Sequence, residues 1–143
     1  MKRLMDLKNL IQQAWAAREL AYAPYSRFAV GAALLDESGR VFKGCNVENL
    51  SFGLTICAER AAIFAAVSAG ARRFRMIAIV SDSSEPVSPC GACRQVFAEF
   101  APDLDVICEN SGGKQFRASL AELLPRAKTG ILDQGLSAGN CST

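Results

Sequence analysis

Three cysteines in two segments constrain this chain more than any other feature. Cys57 opens the run Cys57-Ala58-Glu59, and Cys90 and Cys93 form a Cys-x-x-Cys knuckle behind Pro89. The chain contains no histidine. Any transition-metal site must therefore be built from thiolates and carboxylates, and the fold must carry two segments 33 positions apart to one point. Three thiolates fill three corners of a zinc tetrahedron and leave the fourth open to water, which is the layout of catalytic zinc. Each segment opens a predicted helix, where the macrodipole and free N–H groups stabilise thiolates. Three thiolates around Zn²⁺ leave a net negative site. Arg60 and Arg94 each directly follow a functional residue and are the candidates to donate hydrogen bonds to thiolate sulfur. Glu59, two residues past Cys57, is placed to move protons rather than to bind metal.

Blander readings exist for each residue. Cys90 and Cys93 alone would suit a redox pair or half of a structural zinc site. A closed four-cysteine site would need Cys45 or Cys108, but both fall in strands and read as packing residues. Cys141 has no assigned role. Glu59 alone could serve the helix dipole, and Trp15 reads as a core or interface anchor.

The 143 residues are half apolar and 21% charged, with a net charge of +2. A chain of this length buries roughly 70% of its unfolded surface, so one core suffices. We expect a single domain over residues 1–129 and a flexible tail over 130–143, where small and polar residues dominate. No basic run interleaves with aromatics, which argues against a nucleic-acid face. No apolar run approaches a membrane span. Lys2, Arg3, Asp6 and Lys8 sit among the leucines of the N-terminus, unlike a secretory segment. With a full core and no export signal, the six cysteines read as thiols or ligands in a cytoplasmic protein.

Residues 4–21 predict an amphipathic helix, with Leu4, Leu7, Ile11, Ala14 and Trp15 on one stripe and Lys8, Gln12 and Arg18 facing away. Phe28–Leu35 and Val41–Cys45 predict a hairpin turned by Asp36-Glu37-Ser38-Gly39. Residues 46–56 read as a polar loop. Cys57–Ala69 is apolar on almost every side, which predicts a helix buried all round. Met76–Val80 suits a central strand covered on both faces. Cys90–Phe100 predicts a helix with Cys93, Val96, Phe97 and Phe100 inward. Leu104–Cys108 and Gln115–Ala118 predict strands, and Ser119 with Glu122 predicts a capping box on a short helix. This order gives an α/β fold, a three-layer α-β-α sandwich around a five-stranded mixed sheet with a parallel strand–helix–strand unit.

Longer stretches carry a resemblance. Pro24-Tyr25-Ser26 through Phe28, Val30-Gly31-Ala32-Ala33-Leu34 and Gly44-Cys45-Asn46-Val47-Glu48-Asn49 match one family. So do Thr55-Ile56-Cys57-Ala58-Glu59-Arg60, Ser88-Pro89-Cys90-Gly91-Ala92-Cys93-Arg94-Gln95 and Glu122-Leu123-Leu124-Pro125. Over residues 14–125 the chain resembles the small homotetrameric zinc-dependent cytidine deaminases. The resemblance implies one Zn²⁺ per subunit on Cys57, Cys90 and Cys93, with Glu59 as the proton shuttle. It implies Phe28 against the pyrimidine ring, Asn46 and Glu48 on the sugar hydroxyls, and the Ala58 N–H on the ring carbonyl. It also implies a homotetramer with active sites near subunit interfaces. Family members carry a small residue where Leu50 stands, a tyrosine where Phe52 stands and often an aromatic where Lys128 stands. A missing aromatic lid would admit bulkier cytosine derivatives.

The expected function is hydrolytic deamination of free cytidine and 2'-deoxycytidine to uridine and 2'-deoxyuridine, as in pyrimidine salvage. The nearest rival keeps the chemistry on a modified cytosine or an aminonucleoside antibiotic. An editor of nucleic acid would need a basic groove. A non-catalytic zinc scaffold is the alternative from another class.

Overall fold

The structure is a computed structural model and describes residues 2–127. The expected tail, Cys141 and Lys128 lie outside the described residues, as does the side chain of Leu4. Helix α1 (Lys2–Arg18) precedes the hairpin β1 (Val30–Asp36) and β2 (Val41–Cys45). Helix α2 (Ala58–Ser68), strand β3 (Phe74–Ser81), helix α3 (Gly91–Phe100) and strand β4 (Asp105–Asn110) follow. Strand β5 (Gln115–Ser119) and the short α4 (Leu120–Leu123) complete the order.

The five strands form one sheet in the order β2-β1-β3-β4-β5. β3 and β4 are parallel, and every other pair is antiparallel. Period-2 alternation divides β1, β3 and β4 between two cores. Ala33, Leu35, Met76, Ala78, Val80 and Ile107 pack under α1 with Leu10, Ile11 and Ala14. Ala32, Leu34, Ile77, Ile79, Val106 and Cys108 face α2, α3 and α4 on the other side. Because both faces are apolar, β3 reads in sequence as an unbroken run. The three-layer arrangement is the expected one.

Several local expectations hold and several need correction. Asp36 accepts hydrogen bonds from Ser38 Oγ at 2.7 Å and from the Arg40 N–H at 2.8 Å, which closes the hairpin turn. Gly39 takes φ +93° there, a value that suits glycine. Ser119 and Glu122 form the capping box of α4. Arg18 does not face away from the core; it donates to the Ala29 carbonyl at 3.1 Å and lies over the Trp15 ring. β1 begins at Val30 rather than Phe28, because both backbone polar groups of Phe28 are held by side chains.

α2 is not buried all round. Ala58, Glu59, Ala62, Ile63 and Ala66 face the sheet, while Phe64 is 47% exposed. A single sheet covers only one side of the helix. Residues 46–56 are also less polar at their surface than expected. They contain a 3₁₀ turn at Phe52–Leu54, and Val47, Leu50, Phe52 and Leu54 are exposed.

Gly44 sets how closely α2 approaches the sheet. A Cβ at that position would lie 2.3 Å from the Ala58 carbonyl oxygen and 2.4 Å from the Ala62 nitrogen. Backbone atoms cannot swing aside as a flexible side chain can. Gly44→Ala is expected to destabilise the fold by about 1–3 kcal/mol or more, as overpacking does. It should also displace the first turn of α2. Urea unfolding with the midpoint of the parent would refute this.

Candidate active site

The site is built where two helices begin. Cys57 is the N-cap of α2 and Cys90 the N-cap of α3, both with extended backbone. Cys93 lies in the first turn of α3 and is fully buried. The sulfurs of Cys57 and Cys90 are 4.0 Å apart and those of Cys90 and Cys93 are 3.5 Å apart. All three lie within 4.8 Å of one another. Tetrahedral zinc with Zn–S bonds of about 2.3 Å places its sulfurs ~3.8 Å apart, so the donor set fits the metal. Neither Cys45 nor Cys108 joins this group among the described residues.

The electrostatics of the cluster also call for a cation. A hydrogen bond from the Cys93 thiol, aided by Arg60, holds Cys57 well below the ordinary thiol range. The same contact, with burial and the nearby charges of Glu59 and Cys57, pushes Cys93 up. One thiolate forms readily and opposes the next unless a metal compensates.

Glu59 sits one helical position past Ala58 and is 6% exposed. Burial, reinforced by the Cys57 charge and opposed by Arg60, raises its carboxyl to about 7. A cleft of about 270 Å³ opens beside it. Phe28, Asn46, Glu48, Cys57, Ala58 and Cys90 join Glu59 in lining that cleft. The helix start leaves the first N–H groups of α2 free of intrahelical partners.

The zinc-binding-region model of the cytidine and deoxycytidylate deaminases matches residues 5–109. The chain belongs to this deaminase family. A cytidine deaminase from Sporosarcina psychrophila is 52% identical over 124 residues, covering 86% of this chain and 91% of the relative. One from Halalkalibacterium halodurans is 54% identical over 126 residues, covering 87% and 96%. The crystal structure of cytidine deaminase from Burkholderia pseudomallei superposes with a TM-score of 0.80 at 53% identity, covering 82% of this chain and 95% of that one.

Within this deaminase-family site the two arginines differ. Arg60 Nη2 donates to Cys57 Sγ at 3.6 Å, as expected. Its buried Nε has no hydrogen-bond partner among the described residues. Among the described residues Arg94 donates to no sulfur. Its guanidinium bonds the Pro89 carbonyl at 2.7 Å, the Leu123 carbonyl at 2.8 Å and Ser88 Oγ at 3.2 Å. Arg94 thus braces the loop before Cys90 against the end of α4. Arg60→Ala is expected to keep the fold and lower zinc affinity or activity about 10–100-fold, the usual cost of removing a ligand's hydrogen-bond partner. Full activity at unchanged zinc affinity would contradict this.

Asn46 and Glu48 are already engaged within the protein. Asn46 Oδ1 accepts from the Val30 N–H at 2.8 Å, and its Nδ2 donates to the Phe28 carbonyl at 2.7 Å. One amide hydrogen and one lone pair remain. Glu48 accepts from the Tyr25 N–H at 2.9 Å and from Ser26.

Sequence reasoning missed Ser26, Val30, Thr55, Val87 and Ser88 as lining residues. All but Val87 stand inside the matched stretches, which was the available signal. A second hollow of about 450 Å³ adjoins the cleft and shares Ser26, Glu48 and Thr55 with it. Tyr25 and Phe52 meet edge to face there, 5.9 Å between centroids. Phe52 is 72% exposed and Leu50 78%.

Proposed function

We propose that this protein hydrolytically deaminates cytidine and 2'-deoxycytidine to the corresponding uridines, as in pyrimidine salvage. The observation that carries the reading is the convergence of three thiols beside a buried carboxyl, with Cys57, Cys90 and Glu59 lining a cleft of about 270 Å³. Cys57, Cys90 and Cys93 would hold one Zn²⁺, which when bound supplies a water of lowered pKa at its open corner. Phe28 walls the flat pyrimidine ring. The Ala58 N–H donates to the ring carbonyl. Asn46 and Glu48 hold sugar hydroxyls, using the hydrogen-bonding capacity their backbone contacts leave free. Glu59 carries a proton to ring N3 and then one to the departing amino nitrogen. Its burial keeps it near the pKa at which a group both gives and takes protons at neutral pH. Arg60 offsets the negative charge of the thiolates.

A homotetramer with active sites near its interfaces completes this reading. The exposed Phe64 on α2, Leu50 and Leu54, and Phe52 in the hollow adjoining the cleft, are apolar surface of the kind an interface covers. The free cysteines among the described residues suit a reducing cytoplasm. No helix among those residues is long and apolar enough to cross a membrane.

The test is incubation with cytidine and deoxycytidine, following ammonia and the ultraviolet shift to uridine, with zinc counted in parallel. Turnover with one zinc per chain is expected. A zinc-loaded protein that releases no ammonia from any cytosine nucleoside would instead be a scaffold.

A further inference from the structure

Phe28 is gripped from both sides. Its carbonyl accepts from Asn46 Nδ2 at 2.7 Å, and its N–H donates to Ser26 Oγ at 3.0 Å. The Ser26 hydroxyl in turn donates to Glu48 Oε1. Glu48 Oε2 accepts from the Tyr25 N–H at 2.9 Å and the Ser26 N–H at 3.2 Å. Between Ser26 and Phe28 stands Arg27 at φ 58°, a left-handed conformation that side chains other than glycine rarely adopt. These bonds therefore hold a backbone shape that the chain would not keep alone.

We propose that Ser26 is a positioning residue that couples the sugar-facing carboxylate of Glu48 to the aromatic wall of Phe28. The proposal rests on the reading that a cytosine nucleoside lies in this cleft with its sugar against Glu48. A serine hydroxyl has one hydrogen to donate and lone pairs to accept with. Here the hydrogen goes to Glu48 and a lone pair receives the Phe28 N–H, so one small group links both halves of the substrate site. The Ser26 hydrogen bond also leads the contacts that hold the Glu48 carboxyl below its usual range, which keeps it an ionised acceptor. A sugar hydroxyl that engages Glu48 pulls on the same carboxylate that fixes Ser26. Recognition of the sugar and stacking of the base are thus not independent.

The test compares cytidine with 2',3'-dideoxycytidine in the parent, Ser26→Ala and Ser26→Thr proteins. For Ser26→Ala we expect KM for cytidine to rise about tenfold while kcat changes less than about twofold. This is because the cysteines and Glu59 are untouched. The preference for cytidine over the dideoxy compound, as a ratio of kcat/KM values, should fall at least about fivefold, within the range of coupled neighbours. Ser26→Thr keeps the hydroxyl and should restore the ratio. A merely structural role would lower kcat/KM for both nucleosides alike and leave the ratio where it was. An unchanged ratio in active Ser26→Ala protein, or no recovery in Ser26→Thr, overturns the coupling alone. A parent protein that deaminates neither nucleoside overturns the deaminase reading and this one with it. Should Ser26→Ala fail to fold, Ser26→Cys keeps the volume with a weaker hydrogen bond, and its ratio decides the matter by the same criterion.

Discussion

Glu59→Gln is expected to lower kcat for cytidine about 10²–10⁴-fold, the usual worth of a well-placed general acid–base. Zinc content and melting temperature should stay near those of the parent. Glutamine matches glutamate in shape, so the buried first turn of α2 should repack without a cavity. What it lacks is a proton that can leave and return. The loss should appear in kcat, because the proposed mechanism has Glu59 act on the reacting atoms and not on the sugar. The variant also removes a negative charge beside Cys57 and Cys93, so the thiols should hold metal at least as well as before. Parent-like turnover would sink the assigned mechanism. Loss of activity together with loss of zinc would mean that Glu59 supports the metal site instead.

Cys93→Ala should abolish activity and weaken zinc binding by more than about 100-fold. Removing a partner outside the ligand set already costs 10–100-fold, and this change removes a ligand. Cys93 is fully buried on α3 and belongs to the same core as Ala62, Ile63 and Phe97. A bound metal adds stability in proportion to its affinity, so the variant should also melt earlier, and chelation of the parent should reproduce part of that shift. Zinc can be counted by atomic absorption and its affinity read by competition with a chromogenic chelator. A Cys93→Ala protein with one tightly held zinc per chain and full activity would show that the metal does not sit on this cluster.

The zinc site was legible because its chemistry is local. Without histidine, Cys57, Cys90 and Cys93 were the best-placed soft ligands, and Cys57 and Cys90 each began a segment whose apolar pattern marked a helix start. The structure places Cys57 and Cys90 as N-caps and Glu59 within the first turn of α2. The hairpin, the capping box at Ser119 and the parallel β3–β4 pair were legible for the same reason, since turn residues and apolar runs act over a few positions. Phe28 was harder to place. Its apolar neighbours suggested strand, but Ser26 and Asn46 take its backbone polar groups out of the ladder. Asn46 is 18 residues away, beyond the reach of any local pattern.

Arg94 and α2 show the same limit from two directions. The position of Arg94 beside Cys93 suggested a sulfur contact. Its long side chain instead found carbonyls at Pro89 and Leu123, the latter 29 residues away. The apolar circumference of α2 was correctly seen, yet apolarity alone does not say what covers a face, and Phe64 meets solvent in this chain.

By itself, then, the amino-acid order determined the element types and the metal-ligand chemistry, because these depend on neighbours along the chain. Tertiary structure alone decided which guanidinium reaches sulfur, how Phe28 is held and which side of α2 stays open. Those outcomes depend on the distances and angles at which remote elements meet.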